Sequence, residues 1–195
     1  MKKLVMMAAV GVMTASMAMG NWVLNPGFEE HEVDETWNPS NWTIAGSGVW
    51  RNDANPNSGD WHLSIDANQD PAADQFVFNL GDFAGQEIFL SVWWAGVGGD
   101  GGNLFIGMNE RDSGENFLAN HESTFLFASD GVYQQYTTSF VADEDMEIVE
   151  VYFRTDEVDG RRFDIDDVSL IPEPGTMGLL AIGLMGVAAL RRRLK

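Results

Sequence analysis

Between Asn21 and Ile171 the chain is broken into short runs rich in valine, isoleucine, phenylalanine, tyrosine, tryptophan and threonine. Among them are WHLSID, QFVFNL, EIFLSVWW, NLFIGMN, YQQYTTSFV, EIVEVYFRT and RFDIDDVSL, with glycine, asparagine, aspartate and proline between them. Side chains of the first kind fit a pleated, half-buried surface, and residues of the second kind turn a chain. No segment sustains a helical apolar period. About ten short strands at this spacing predict an all-β domain, an antiparallel β-sandwich of the jelly-roll kind. In EIFLSVWWA a period of two sets Ile88, Leu90, Val92 and Trp94 toward the core and Phe89, Ser91 and Trp93 away from it. Ile148, Val149, Val151 and Phe153 do not alternate cleanly, which predicts either a bulge or a strand covered on both faces.

The two ends differ from this body. MKKLVMMAAVGVMTASMAMG has two lysines, an apolar run and then small residues up to Gly20, the layout of a secretory signal peptide over residues 1–20. Residues 175–190 are sixteen in a row without charge, followed by Arg191, Arg192, Arg193 and Lys195. As a helix they would reach about 24 Å, and the flanking arginines would mark the cytoplasmic side, so a transmembrane helix is expected there. The expected organisation is a signal peptide (1–20), a β-sandwich domain (21–171) and a sorting segment (172–195).

Pro172-Glu173-Pro174, a short apolar span and a terminal cluster of Arg191, Arg192 and Arg193 resemble the PEP-CTERM sorting signal of Gram-negative bacteria. The resemblance implies that an exosortase, a membrane transpeptidase-like enzyme, recognises the tail with the export machinery and removes it. It implies transient anchoring in the inner membrane and a destination at the cell surface or in the extracellular matrix.

Composition limits what the body can bind. Residues 21–171 hold 29 of the 30 acidic residues and five arginines as their only Lys or Arg, a net charge of −24. Nucleic acid and anionic membrane surfaces are poor partners for such a body, whereas divalent cations are suitable. A solvated acidic surface suited to a saline habitat accounts for many of these carboxylates equally well. The chain has no cysteine, which excludes disulfides and thiolate metal sites.

NWVLNPGFEE, GQEIFLSVWWA, YQQYTTSFVADEDMEIVEVYFRT and RFDIDDVSLIPEP are similar to the galactose-binding-like jelly roll shared by many carbohydrate-binding modules. In that family an opening N-x-G-F-E strand pairs near a closing strand with an aspartate pair before Val-x-Leu. The resemblance implies one structural Ca²⁺ held by Glu29 and Asp166, with Asp60 in the NSGDWHLSID loop as a further ligand. Hard carboxylate and carbonyl oxygens suit that ion. Asp164 or Asp167 remain alternatives to Asp166, since alternation sets Asp164 and Asp166 on one face and Asp167 on the other. The competing reading is of exposed carboxylates at strand ends.

Sugar rings stack on aromatic faces while neighbouring polar groups take the hydroxyls. Of seven tryptophans, Trp93 projects away from the core row, and Trp37 and Trp50 are expected in or beside polar loops. These three are the candidate ligand-binding residues, although any one could serve the core instead. GVGGDGGN from Gly96 to Asn103 lacks the lysine and following helix of a phosphate loop and reads as a flexible hairpin loop. Three scattered histidines, no nucleophile elbow and no zinc-protease motif give catalysis no support. The expected function is non-catalytic binding of polysaccharide by an exported surface or matrix protein. The alternative is a structural, cation-binding matrix or biofilm protein with no specific sugar site.

Overall fold

The computed structural model describes residues 20–32, 35–67, 72–77, 84–98, 102–123, 126, 130–156 and 161–172. The expected signal peptide and transmembrane helix lie outside the described residues, as does the centre of the glycine-rich 96–103 loop. Among the described residues no helix is long and apolar enough to cross a membrane.

Among the described residues twelve strands follow one another: β1 (His31–Glu32), β2 (Glu35–Pro39), β3 (Thr43–Ala45), β4 (Val49–Asn52), β5 (His62–Asp66), β6 (Ala72–Val77), β7 (Glu87–Val97), β8 (Leu104–Arg111), β9 (Phe117–Glu122), β10 (Gln134–Val141), β11 (Ile148–Thr155) and β12 (Arg162–Pro172). They form two five-stranded sheets, β10-β7-β12-β5-β4 and β3-β6-β11-β8-β9, and a small hairpin of β1 and β2. Every pairing is antiparallel. The expected all-β sandwich is therefore the observed one.

The core lies between the sheets. Ile88, Leu90, Val92 and Trp94 of β7 face Ile106 and Met108 of β8 and Val149, Val151 and Phe153 of β11 within one buried cluster. The alternation expected for β7 holds. Strand β11 pairs with β6 and β8 in unbroken register, and Ile148 and Tyr152 are buried on its other side. Of the two alternatives for this strand there is no bulge, and its outer face is covered only in part, since Glu150 is half-buried and Arg154 exposed. It is the middle strand of its sheet, flanked on each side by long neighbours.

The opening segment departs from expectation, because residues 21–30 form turns rather than a strand. Asn25 and Phe28 have φ of 48° and 57°, values that an extended strand cannot contain. The segment still runs along β12: the Trp22 N–H donates to the Leu170 carbonyl at 3.0 Å and the Val168 N–H to the Pro26 carbonyl at 2.9 Å. The left-handed turn at Phe28 drives its ring fully into the core, 5.1 Å from Trp42, which itself stacks at 5.5 Å on Phe153 of the opposite sheet.

Arg51 of β4 fixes this turn from beneath. Its side chain is only 1% exposed. Nε donates to the Phe28 carbonyl and Nη2 to the Glu29 carbonyl, both at 2.6 Å, and the guanidinium lies 4.3 Å from the centre of the Trp61 ring. Burial lowers its pKa, and the nearby Glu29 charge opposes that shift. Arg51→Ala is expected to lower stability by about 3 kcal/mol, since it leaves two carbonyls unpaired and a cavity behind. Urea denaturation of residues 20–172 measures this directly.

Candidate functional site

The residues expected to hold a cation do converge. Asp166, fully buried, accepts on Oδ2 from the main-chain N–H groups of Asn57 (2.9 Å) and Ser58 (3.0 Å), and on Oδ1 from the N–H of Asp167 (2.8 Å). Glu29 Oε1 accepts from the N–H groups of Asp60 and Trp61 at 2.9 and 3.2 Å. The two ends of the domain and the 57–61 loop thus meet at one place. A Cβ on Gly59, whose φ is +60°, would come within 1.9 Å of Glu29 Oε1, so only glycine lets the loop approach.

Asp60 joins this cluster through its main chain rather than through its carboxylate. Asp167 joins it through its side chain, accepting from Asn57 Nδ2 and Ser58 Oγ at 2.8 and 2.7 Å. Alternation had set Asp167 on the opposite face from Asp166, but its φ of 47° and the register shift between Asp166 and Ser169 end the alternation there. Among the described residues no group of three or more acidic or histidine side chains is arranged around a single metal position. Two observations nevertheless match a cation. Burial, aided by the Asp167 charge and opposed by the N–H bonds, pushes the Asp166 carboxyl up to about 6, which marks a negative charge short of compensation. The donors are also hard oxygens, as calcium requires.

Asp164, the other alternative, points into a separate buried network. It accepts from Ser64 Oγ at 2.6 Å, lies 3.2 Å from His62 Nε2, and is paired with Arg162. Burial pushes its pKa up, but the bonds from His62 and Ser64 outweigh this and hold it below the usual range. Ser, His and Asp are therefore together, yet not as a relay. The serine and the histidine address the same carboxylate oxygen, His62 Nδ1 has no hydrogen-bond partner among the described residues, and the histidine is fully buried.

The three candidate tryptophans are not brought together. Trp93 in β7 and Trp50 in β4 are half-buried on the outer face of the first sheet, with β12 and β5 between their strands. Trp37 is 61% exposed on the β1–β2 hairpin, edge-on to Trp61 at 6.5 Å. Trp37 and Trp50 each lie within a short strand, β2 of the hairpin and β4 at the border of the first sheet, beside the loops expected for them.

A groove of about 440 Å³ lies instead on the outer face of the second sheet. Cross-strand register builds it in rows. Asp74, Tyr152, Gly107 and Glu122 stand side by side on β6, β11, β8 and β9, and the next row is Phe76, Glu150, Asn109 and Asn120. The Tyr152 ring lies across Gly107, where a Cβ would be 2.4 Å from it. Its hydroxyl donates to Glu122 Oε2 at 2.7 Å and accepts from Asn120 Nδ2 at 2.8 Å, and burial leads the effects that push its pKa up to about 12. Arg154 forks onto both oxygens of Glu122 at 2.8 Å. Partial burial pushes Glu122 up, but Arg154 and Tyr152 prevail and hold it low. Arg111 donates twice to Glu150 Oε2, at 2.9 and 2.6 Å, and Asn109 donates to the same oxygen at 3.0 Å. Phe117, 58% exposed, stands at one end.

None of these groove residues was singled out from the sequence. The signal was present in EIVEVYFRT, where Glu150, Tyr152 and Arg154 share one parity, and in NLFIGMNER, where Gly107, Asn109 and Arg111 do. Only the pairing of these strands places the two sets side by side.

At its far end β12 runs into a recognised segment: residues 170–193 match the PEP-CTERM protein-sorting motif. The chain carries a PEP-CTERM sorting motif. No curated protein matches the chain. Solved structures share its fold at low identity. TmCBM61, solved with β-1,4-galactotriose, is 18% identical with a TM-score of 0.55, covering 79% of this chain and 99% of that one. The C-terminal family 22 carbohydrate-binding module of Clostridium thermocellum Xyn10B is 17% identical with a TM-score of 0.55, covering 75% and 90%. The enzymatically active domain of tailspike protein 4 from bacteriophage CBA120 has a TM-score of 0.63 at 15% identity. That match covers 78% of this chain, which spans only 21% of the tailspike. The structural neighbours of this PEP-CTERM chain are thus jelly-roll sandwiches, most of them carbohydrate-binding modules.

The groove has a titration of its own. Burial first, and then the neighbouring Glu150 charge, push Asp74 up to about 6. The folded state then binds a proton more tightly than the unfolded chain, so stability falls as pH rises from about 4 to 6 and stays lower above. Asp74→Asn is expected to reduce the slope of that segment of the stability curve, leaving the part that Asp166 contributes over the same range. It should also stabilise the protein at pH 7 by about 1 kcal/mol, after allowance for solvent screening of a half-buried group. Denaturant titrations across this range give the answer.

Proposed function

We propose that the exported domain binds polysaccharide without cleaving it, and that the groove over Tyr152 is the binding site. The observation that carries this reading is the pairing of an aromatic floor with a row of amides and carboxylates on one open sheet face. A pyranose presents an apolar C–H face to stack on a ring and hydroxyls at its rim to exchange hydrogen bonds, and the groove supplies both. Its polar atoms are already fixed by one another, which lowers the ordering cost of binding. Glu122 and Glu150 are occupied by arginine forks, and Glu122 is held ionised. That suits hydroxyl binding and is the opposite of what a general acid needs. The sorting motif supports delivery to the cell surface or matrix, with exosortase and the export machinery as partners and a transient membrane anchor before processing.

β-1,4-Galactotriose and xylan, the glycans named for two of the structural neighbours, are the first probes. Tyr152→Ala and Phe117→Ala are each expected to weaken binding at least tenfold, about 1.4 kcal/mol, in affinity electrophoresis and calorimetry. Trp93→Ala, on the other sheet, should leave binding unchanged. Retained binding in Tyr152→Ala, with loss in Trp93→Ala, would move the site to the first sheet.

Calcium belongs to the same reading as a structural ion, not as part of the glycan site. Glu29 and Asp166, with Asp167 beside them and carbonyl oxygens of the 57–61 loop, would hold it, and it would supply the positive charge that Asp166 lacks. Ca²⁺ at one hundred times its Kd is expected to raise Tm by about 5 °C, reversed by chelator. Asp166→Asn should abolish the response, as read by scanning calorimetry, while glycan affinity is preserved.

A further inference from the structure

Each five-stranded sheet has two borders, and three of the four are protected. Strand β4 has four residues and packs against β2 of the hairpin. Strand β3 has three residues. Strand β9 carries His121 and Glu122 and meets β8 through a register shift. Short length, charge and bulges are the usual means of keeping a sheet edge from pairing with another chain.

Strand β10, the border of the first sheet, has none of these. Its eight residues, Gln134–Val141, pair with β7 in unbroken register from Gln134–Trp94 to Val141–Glu87. It contains no proline and no charge. The uncharged stretch extends over twelve residues between Asp130 and Asp143, in a body of net charge −24. Most of its side chains are exposed. Those on the outer face lean back over their own sheet, Gln135 Nε2 onto Ser91 Oγ at 2.8 Å and Ser139 Oγ onto Glu87 at 2.6 Å, so they do not screen the flank that, among the described residues, pairs with no other strand. The strand is also rigidly seated: Phe140 is buried and stacks on His121 of the other sheet at 4.4 Å.

We infer that the β10 edge is a homotypic interface, where a second copy of this chain adds its own β10 in antiparallel fashion. Each copy brings an uncharged extended strand, so the pairing places no charge at the contact itself, whereas an acidic strand would meet the negative charge of the body. Pairing about a two-fold axis at Thr138 keeps the faces of both sheets in phase. It sets Thr137 across from Ser139 and Gln135 across from Val141, with no like charges opposed. Such an interface is isologous, so it closes at a dimer and joins two five-stranded sheets into one of ten. At about 3.4 Å per residue the contact is about 27 Å long and one strand deep, which makes the dimer weak and concentration-dependent. The remaining acidic surface opposes it, so association strengthens as salt screens the charge.

The inference does not depend on glycan binding, and its test contains none. Residues 20–172, which carry both sheets and the whole described core, are examined by sedimentation velocity over a concentration series at low and high salt. The expected result is a monomer–dimer equilibrium shifted toward dimer by salt. Thr137→Glu, which sets two like charges on the diagonal across the axis, should weaken dimerisation at least tenfold, whereas Thr137→Val should preserve it; unchanged Tm values for both variants show that the fold is intact. Amide hydrogen exchange should show protection of Gln134–Val141 rising with protein concentration. A monomer at every concentration and salt overturns the inference, as does a dimer indifferent to Thr137→Glu. Edge amides fully protected in dilute monomer would overturn it too, because another segment of the chain would then occupy the edge.

Discussion

A guanidinium removed from water must find its partners inside the protein, and Arg51 finds them in the carbonyls of Phe28 and Glu29. Hydrogen bonds of this charge-assisted kind contribute about 1.5–3 kcal/mol each, and breaking them inside the protein costs more because the charge is then stranded. Other features follow from this anchor. With residues 28 and 29 held, the Phe28 ring is directed into the core against Trp42, and the Glu29 carboxylate is directed at the 57–61 loop. The loop, gathered by Glu29 at its end, turns the N–H groups of Asn57 and Ser58 onto Asp166. Residues distant in sequence are thereby fixed to one another with no disulfide.

The two sheets treat their outer faces differently, and the difference lies in what covers the polar side chains. On the first sheet, His62, Ser64 and Asp164 are buried and satisfied largely among themselves, beneath Tyr133, whose ring stands edge-on to His62 at 6.4 Å. Burial, with Asp164 and Asp166 nearby, pushes the Tyr133 phenol well up, so a neutral ring closes the layer over the Asp164 carboxylate. On the second sheet the corresponding side chains are cross-linked by arginines but remain in contact with solvent. Gly107 decides the shape of that face. Any side chain there would lift Tyr152 off the sheet and fill the groove.

Much of this architecture was legible in the order of residues. Strand-forming runs and turn residues are local properties, and β7 alternates strictly because one of its faces is wholly apolar. The meeting of Glu29 with Asp166 was legible only through likeness to a known jelly roll, since no local rule joins residues so far apart. Asp167 was misplaced because a left-handed residue interrupts a period that sequence alone treats as continuous. The groove was missed for a related reason. Glu150, Tyr152 and Arg154 were visible as one face of β11, but a face becomes a site only when its neighbours are known. Tryptophans drew attention by their size, whereas the floor of the groove is a tyrosine whose seat on the sheet depends on a glycine in the adjacent strand.

The same strand dependence governs where the domain can be separated from its tail. The sorting motif begins at Leu170, yet Leu170 is fully buried, and β12 continues in pairing with β7 as far as Pro172 opposite Ile88. Because β12 lies in the middle of the first sheet, removing its last residues would expose Leu90 and Ile88 and leave the β7 main chain unpaired on that side. It would also free the opening segment, which rests on Leu170 and Val168 through Trp22 and Asn21. A cut that preserves the exported domain must therefore fall beyond Pro172. The recognition sequence and the fold overlap by three residues, and within that overlap the requirements of packing take precedence over those of sorting.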